Sequence, residues 1–155
     1  METTTAPAWS IVSEVELIYK SKVKPSQRPQ ITTSKGAYEI LLKVWDAGRL
    51  DLQEEFKVLF LNRANKVLGV YHLSTGGMTG TVADPRLIFM AALKANCVSL
   101  VLAHNHPSGN LKPSRQDEEL TQKIKSAGSF LDIRVLDHLI ITSETYLSFA
   151  DEGLL

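Results

Sequence analysis

His104 and His106, separated by one residue, and Asp117, which follows after ten more, are the side chains of this sequence best suited to chemistry. In extended backbone, residues i and i+2 point to the same side, so the two imidazoles can meet at one point beyond a strand end. Pro107, Gly109 and Pro113 keep the following loop compact, and Asp117, in the first turn of a helix, can bring its carboxylate back to the histidines. Two nitrogens and one oxygen are a common protein donor set for catalytic zinc, with the fourth position left to water. Such an ion lowers the pKa of its water and polarises a carbonyl, and a carboxylate base is still useful to move the proton.

Glu54 and Glu55 stand at the start of an apolar strand pattern, Phe56 to Leu61. By period-two alternation Glu54 shares a face with Phe56 and Val58 and is the preferred base, with Glu55 as the alternative. A blander account is available for each segment alone. The histidines can be polar residues of a Pro/Gly loop, and Ser114 to Asp117 can be a helix capping box with Asp in place of Glu. A strand ending in His-x-His and a helix opening on an acid converge without further assumptions, and this favours a metal site.

The elements that must position these residues can be read from periodicity. Val98 to Ala103 is apolar throughout, the pattern of a strand buried on both faces in the middle of a helix-covered sheet. Ahead of it, Asp84-Pro85 has the cap and first residue of a helix whose buried stripe is Leu87, Ile88, Ala91, Ala92 and Ala95. Phe56 to Leu61 and Val67 to Tyr71 flank a turn-like Asn62 to Asn65, predicting a hairpin at the centre of the sheet. Ser34 followed by Ala37, Ile40, Leu41, Val44 and Trp45, and ended by Gly48, predicts a capped amphipathic helix. Ser114 to Ser126 reads as a further helix, and Ile133 to Leu136 and Leu139 to Ile141 as two strands. Residues 1–9 are expected to be a flexible arm and 10–155 one domain, opening with a strand from Ser10 to Val23. On that strand Lys20, Lys22 and Lys24 would share a face, read as a charged edge that discourages aggregation. The Gly-rich stretch Ser74 to Gly80 lacks the Gly-Lys-Ser/Thr ending of a phosphate loop and reads as a flexible connection.

Composition narrows the function classes. The chain has 155 residues, room for one core, and its 44% hydrophobic and 22% charged content is that of a globular protein. Lys plus Arg and Asp plus Glu are equal at 17 each, so no bulk positive charge gathers nucleic acid. There is no apolar run long enough for a membrane span and no signal-peptide pattern at the start, so a cytoplasmic location is expected. Cys97 is the single cysteine and reads as a small core residue.

At these residues the sequence resembles a known family. His104-x-His106 with Asp117, Ser114 three residues before it, and an upstream Glu resemble the JAMM (MPN) metalloprotease signature. His104-Asn105-His106-Pro107-Ser108-Gly109, Pro113-Ser114 and Leu136-Asp137-His138-Leu139-Ile140 resemble the RadC family in particular, over residues 31–155. The resemblance implies an α/β fold similar to cytidine deaminase, a three-layer α-β-α mixed sheet. It also implies His104, His106 and Asp117 as zinc ligands, Glu54 as general base and Ser114 as a partner of the oxyanion. The activity implied is hydrolysis of an amide or isopeptide bond, with a peptide or isopeptide substrate. RadC proteins commonly carry an N-terminal helix-hairpin-helix segment, whereas the pattern here is a short strand and loop, so the association with DNA repair is weaker than the metal chemistry. His138 is read as a buried structural histidine and His72 is given no role.

Two other functions remain open at this stage. One is a non-catalytic binding module in a DNA-processing or mobile-element context, in which nucleic acid is the partner. The other is a metal-dependent nuclease, although carboxylates are found for only one metal. The N-terminal edge strand would also allow pairing between copies of the chain.

Overall fold

The uninterrupted apolar run predicted as a central strand forms β3 (Ser99–Asn105), buried along its whole length. This comes from a computed structural model that describes residues 13, 15–16, 18–76 and 82–155. β3 is the third of five strands in one sheet of order β2-β1-β3-β4-β5. β1 (Glu55–Leu61) runs antiparallel to both β3 and β2 (Val67–Thr75), β4 (Arg134–Ile141) runs parallel to β3, and β5 (Tyr146–Ser148) is antiparallel to β4. The hairpin β1–β2 is formed as expected, but β2 is an edge strand and the centre belongs to β3.

Among the described residues four α-helices cover the two faces. α1 (Ser34–Val44) and the short α2 (Ala47–Leu50) pack Ala37, Tyr38, Leu41 and Leu50 against Leu59, Leu61, Val101, Ala103, Leu139 and Ile141. α3 (Pro85–Lys94) and α4 (Arg115–Phe130) pack Ile88, Phe89, Ala92 and Ile124 against Phe56, Val58, Phe60, Leu100 and Leu102. The result is the three-layer α/β architecture with a mixed sheet. Alternation along β1 and β3 divides their side chains between the two cores, which explains why β3 has no polar side.

The helix starts follow capping chemistry. Asp84 caps α3 by accepting the Arg86 amide, with Pro85 in the first turn. α1 is capped by Thr33 rather than Ser34, and it stops at Val44 instead of running to Gly48. Asp46 breaks the chain there because its carboxylate accepts the Gly48 amide and starts α2. α4 carries the chain from β3 back to the parallel β4. At its last turn a Cβ on Gly128 would collide with the Ile133 carbonyl, so the return into β4 requires glycine.

Two expected elements differ. The strands expected at Ile133 to Leu136 and Leu139 to Ile141 are one strand, β4, which starts at Arg134, because the intervening polar pair is not a turn. The register against β3 shifts between Leu100 and Val101, opposite Val135 and Asp137, so Leu136 is an extra residue. This bulge reverses the parity of the strand and turns His138, rather than Asp137, towards the α4 side. Asp137 is satisfied on the other side by the Ser148 hydroxyl and the Ala150 amide.

The second difference is at the start. The described residues between 13 and 23 form no strand, so the expected strand from Ser10 to Val23 is not formed there. Val15 and Ile18 are exposed, and the Tyr19 hydroxyl tethers the segment to the sheet by donating to the Leu68 carbonyl at 2.7 Å. An alternating pattern without a neighbouring strand has no ladder to join. Lys20, Lys22 and Lys24 are exposed on this segment, and the edge strand through which copies were expected to pair is absent from the described residues. The arm at 1–9 and most of the Gly-rich stretch, from Gly77 to Gly80, lie outside the described residues. Among the described residues no helix is long and apolar enough to cross a membrane.

Candidate metal centre

His104 lies at the end of β3 opposite Phe56 of β1, on the α3/α4 face, and its ring stacks on Phe56 at 5.8 Å between centroids. Two residues on, His106 emerges on the same side as the chain leaves the sheet. Its amide still donates to the Ile141 carbonyl, which extends the strand geometry through the His-x-His segment. The two Nε2 atoms face each other at 3.0 Å. Both rings are turned by hydrogen bonds on their far sides: His106 Nδ1 contacts the Asn110 carbonyl at 2.5 Å, and His104 Nδ1 contacts His138 Nε2 at 2.8 Å.

Two carboxylates close on this pair from different elements. Asp117 in the first turn of α4 places Oδ1 3.4 Å from His104 Nε2 and Oδ2 3.8 Å from His106 Nε2. Its Oδ2 also accepts the Ser114 amide at 2.8 Å, while Ser114 Oγ accepts the Asp117 amide at 3.1 Å. The capping box and the site are therefore the same residues, and the two readings of Ser114 to Asp117 are compatible. Ser114 is exposed, and with Oγ used as acceptor its hydroxyl hydrogen remains a donor.

Glu54 approaches from the residue before β1, with Oε1 3.9 Å from His104 Nε2. Glu55 points to the opposite face, where it lies between Lys57 at 3.3 Å and Arg49 at 3.7 Å. The choice between the two glutamates by alternation thus agrees with the geometry. Among the described residues the Glu54 carboxylate takes no hydrogen bond, in contrast to the clamped Asp117.

The environments of the two carboxylates separate them. Burial pushes the Glu54 carboxyl above its ordinary range, and His104 and His106 only partly offset it. Burial also acts on Asp117, but the adjacent His104 ring and the Ser114 hydrogen bonds outweigh it and hold the carboxyl well below the usual range. The fully buried His138 is kept uncharged, chiefly by burial and then by His104 beside it.

The residues fit a divalent metal. Glu54, His104 and His106 each offer a ligand atom, all within 4.8 Å of one another, and Asp117 adds a second carboxylate against the same nitrogens. His106 Nδ1 can only donate to the Asn110 carbonyl, so its Nε2 is a lone pair in the neutral ring, directed at a second imidazole nitrogen. A cation between them relieves that arrangement. Nitrogens at about 2.1 Å from a tetrahedral zinc lie roughly 3.4 Å apart, so the observed 3.0 Å separation needs only a small opening to admit the ion.

Sequence reasoning missed the residue between the histidines. Asn105 is fully buried and points to the opposite face of β3. Its amide donates to the Leu50 carbonyl at 2.7 Å and the Gln53 carbonyl at 2.9 Å, and its Oδ1 accepts the Glu55 amide at 2.7 Å. Asn105 therefore holds the segment that carries Glu54. The signal was present as a polar residue on the buried face of an apolar strand. Of the side chains set aside, Cys97 is buried with its thiol pushed up to about 11 by burial, unsuited to nucleophilic work. His72 contacts Lys57 Nζ at 2.9 Å, away from the histidine pair.

With this geometry in view, a family model described as "RadC-like JAB domain" matches residues 31–154. The chain is similar to proteins called "UPF0758 protein" from Flavobacterium johnsoniae and Porphyromonas gingivalis. It is 47% identical to the first over 150 residues, covering 96% of this chain and 64% of the relative, and 43% identical to the second over 156 residues, covering 97% and 66%. "UPF0758 protein STH371" from Symbiobacterium thermophilum is 34% identical over 150 residues, 97% of this chain and 63% of the relative. The chain thus spans somewhat less than two thirds of the length of these relatives.

Proposed function

Since the chain belongs to the RadC-like JAB domain family, we propose that it is a zinc-dependent hydrolase of amide or isopeptide bonds in peptide substrates. The observation that carries this reading is the pair of imidazole nitrogens 3.0 Å apart with carboxylates from two other segments against them. In this reading His104, His106 and Asp117 hold the ion, and Glu54 is the general base. Asp117 suits the ligand role because it lies near both nitrogens and is fixed by the capping box. Glu54 suits proton transfer because its carboxylate is held by no hydrogen bond among the described residues.

When bound, zinc would supply Lewis acidity towards water and a substrate carbonyl. The chain's own residues do the rest. Glu54 takes a proton from the attacking water at Oε1 and delivers it to the leaving nitrogen as the C–N bond breaks. Ser114, whose hydroxyl hydrogen is a donor, stabilises the negative charge that develops on the carbonyl oxygen. Phe56, stacked on His104, forms an apolar wall on that side of the ring and helps to orient it.

Metal content and a panel of peptide, isopeptide and nucleic-acid substrates, with and without chelator, test the proposal. Stoichiometric zinc lost in His104→Ala is expected. So is chelator-sensitive peptide or isopeptide cleavage reduced by about 10²- to 10⁴-fold in Glu54→Gln, the range of general base catalysis. A wild-type chain that takes up no zinc, or that cleaves only nucleic acid, overturns it.

A further inference from the structure

The far side of His104 is as fully built as its metal side. His104 Nδ1 meets His138 Nε2 at 2.8 Å, His138 Nδ1 meets Thr121 Oγ1 at 2.6 Å, and Thr121 Oγ1 donates to the Asp117 carbonyl at 2.6 Å. His104, Thr121 and His138 are all buried, with His138 stacked on Phe149 at 4.7 Å and tilted against Phe56 at 5.5 Å.

Proton positions along this chain follow from chemistry. A carbonyl oxygen only accepts, so the single Thr121 hydroxyl hydrogen points at Asp117. Thr121 Oγ1 must then accept from His138, which places the His138 proton on Nδ1. His138 Nε2 is left as an acceptor, and the partner 2.8 Å away, His104 Nδ1, must donate. The His104 proton is thereby fixed on Nδ1, and Nε2 is left as a bare lone pair facing His106 and the carboxylates.

We infer that His138 and Thr121 are positioning residues which fix the tautomer and ring orientation of His104 so that Nε2 is always available to a metal. The inference rests on the metal reading of the site. The relay begins and ends on two proposed ligands, since Thr121 lies one helical turn after Asp117 and bonds its carbonyl. It thus ties β3, β4 and the start of α4 together through one chain of hydrogen bonds. The bulge at Leu136 is what makes this possible, because without it β4 would present Asp137 on this face.

Metal affinity and the imidazole protons themselves provide the test. Zinc affinity is measured by competition with a chelating dye for the wild type and for His138→Phe, Thr121→Val and Thr121→Ser. Removing the partner of a ligating histidine commonly weakens metal binding by about 10- to 100-fold. That loss is expected for His138→Phe, and a smaller loss for Thr121→Val, with Thr121→Ser returning to wild type. Thermal unfolding of each metal-free variant separates this effect from a loss of fold. Nitrogen-15 spectra of the metal-free wild type, which need no variant, should show His138 and His104 each protonated on Nδ1 and bare on Nε2. A His138 proton on Nε2, or a folded His138→Phe that binds zinc within twofold of wild type, overturns the inference and leaves the metal reading standing. A wild type that binds no zinc removes the metal reading, and with it the role assigned to the relay.

Discussion

Replacing Asn105 by alanine removes three hydrogen bonds at one fully buried side chain, those to the Leu50 and Gln53 carbonyls and from the Glu55 amide. A net contribution of about 1 kcal/mol per bond gives a loss of about 3 kcal/mol, and groups left dry and unpaired would cost up to about 1–3 kcal/mol each. Water entering the vacated space keeps the loss near the lower figure. For a domain of this size it corresponds to a fall in Tm of roughly 6–12 °C. Urea unfolding of the metal-free proteins measures it: the midpoint should drop while the m-value stays constant. Because Asn105 holds the Gln53 to Glu55 segment, hydrolysis should fall further than zinc affinity, which depends on the histidines. A loss below about 1 kcal/mol, or equal losses of hydrolysis and zinc binding, would refute the reasoning that Asn105 places Glu54.

Other outcomes follow from the same geometry. Zinc at about 100 times its Kd should stabilise the wild type by roughly 2.7 kcal/mol against unfolding, and His104→Ala should abolish the gain, as thermal melts with and without chelator will show. Gly128→Ala should destabilise by about 1–3 kcal/mol, measured by urea unfolding, because its Cβ overlaps the Ile133 carbonyl. Burial raises the folded-state pKa of Asp137 above 3.8, against the lowering effect of its Ser148, Ala150 and His138 hydrogen bonds. A raised carboxyl stabilises fully below its unfolded pKa and loses that contribution as pH rises through the folded value. The stability of wild type relative to Asp137→Asn should therefore decline from about pH 4 towards neutrality, read from unfolding midpoints across that range; a difference independent of pH would contradict the raised value.

Much of the site was legible because its geometry is local. His104 and His106 share a face through strand alternation, and Asp117 lies in the first turn of the helix that follows. Glu54 could be chosen over Glu55 for the same reason, parity along one strand. Where parity is interrupted, reading the sequence fails. The extra residue at Leu136 makes Asp137-His138 look like a break between two strands, and nothing local shows that His138 turns to His104 while Asp137 turns to Ser148. Asn105 escaped notice because its partners lie in a segment distant in sequence. The N-terminal segment shows the opposite failure: Val15 and Tyr19 alternate as a strand would, but a strand needs a neighbour, and periodicity carries no information about one.

The donors of the centre come from three segments: the residue before β1, the end of β3 and the first turn of α4. The ligands are near one another in sequence, but Asp117 reaches the histidines only when α4 has docked on the sheet and Glu54 joins from a distant strand. The loop-closure entropy of that assembly makes the complete centre a late event in folding. An ion bound there recognises the native state and little that precedes it. Metal should then leave the refolding rate almost unchanged and slow unfolding instead, so that a loaded molecule persists by kinetic resistance even where its equilibrium gain is modest.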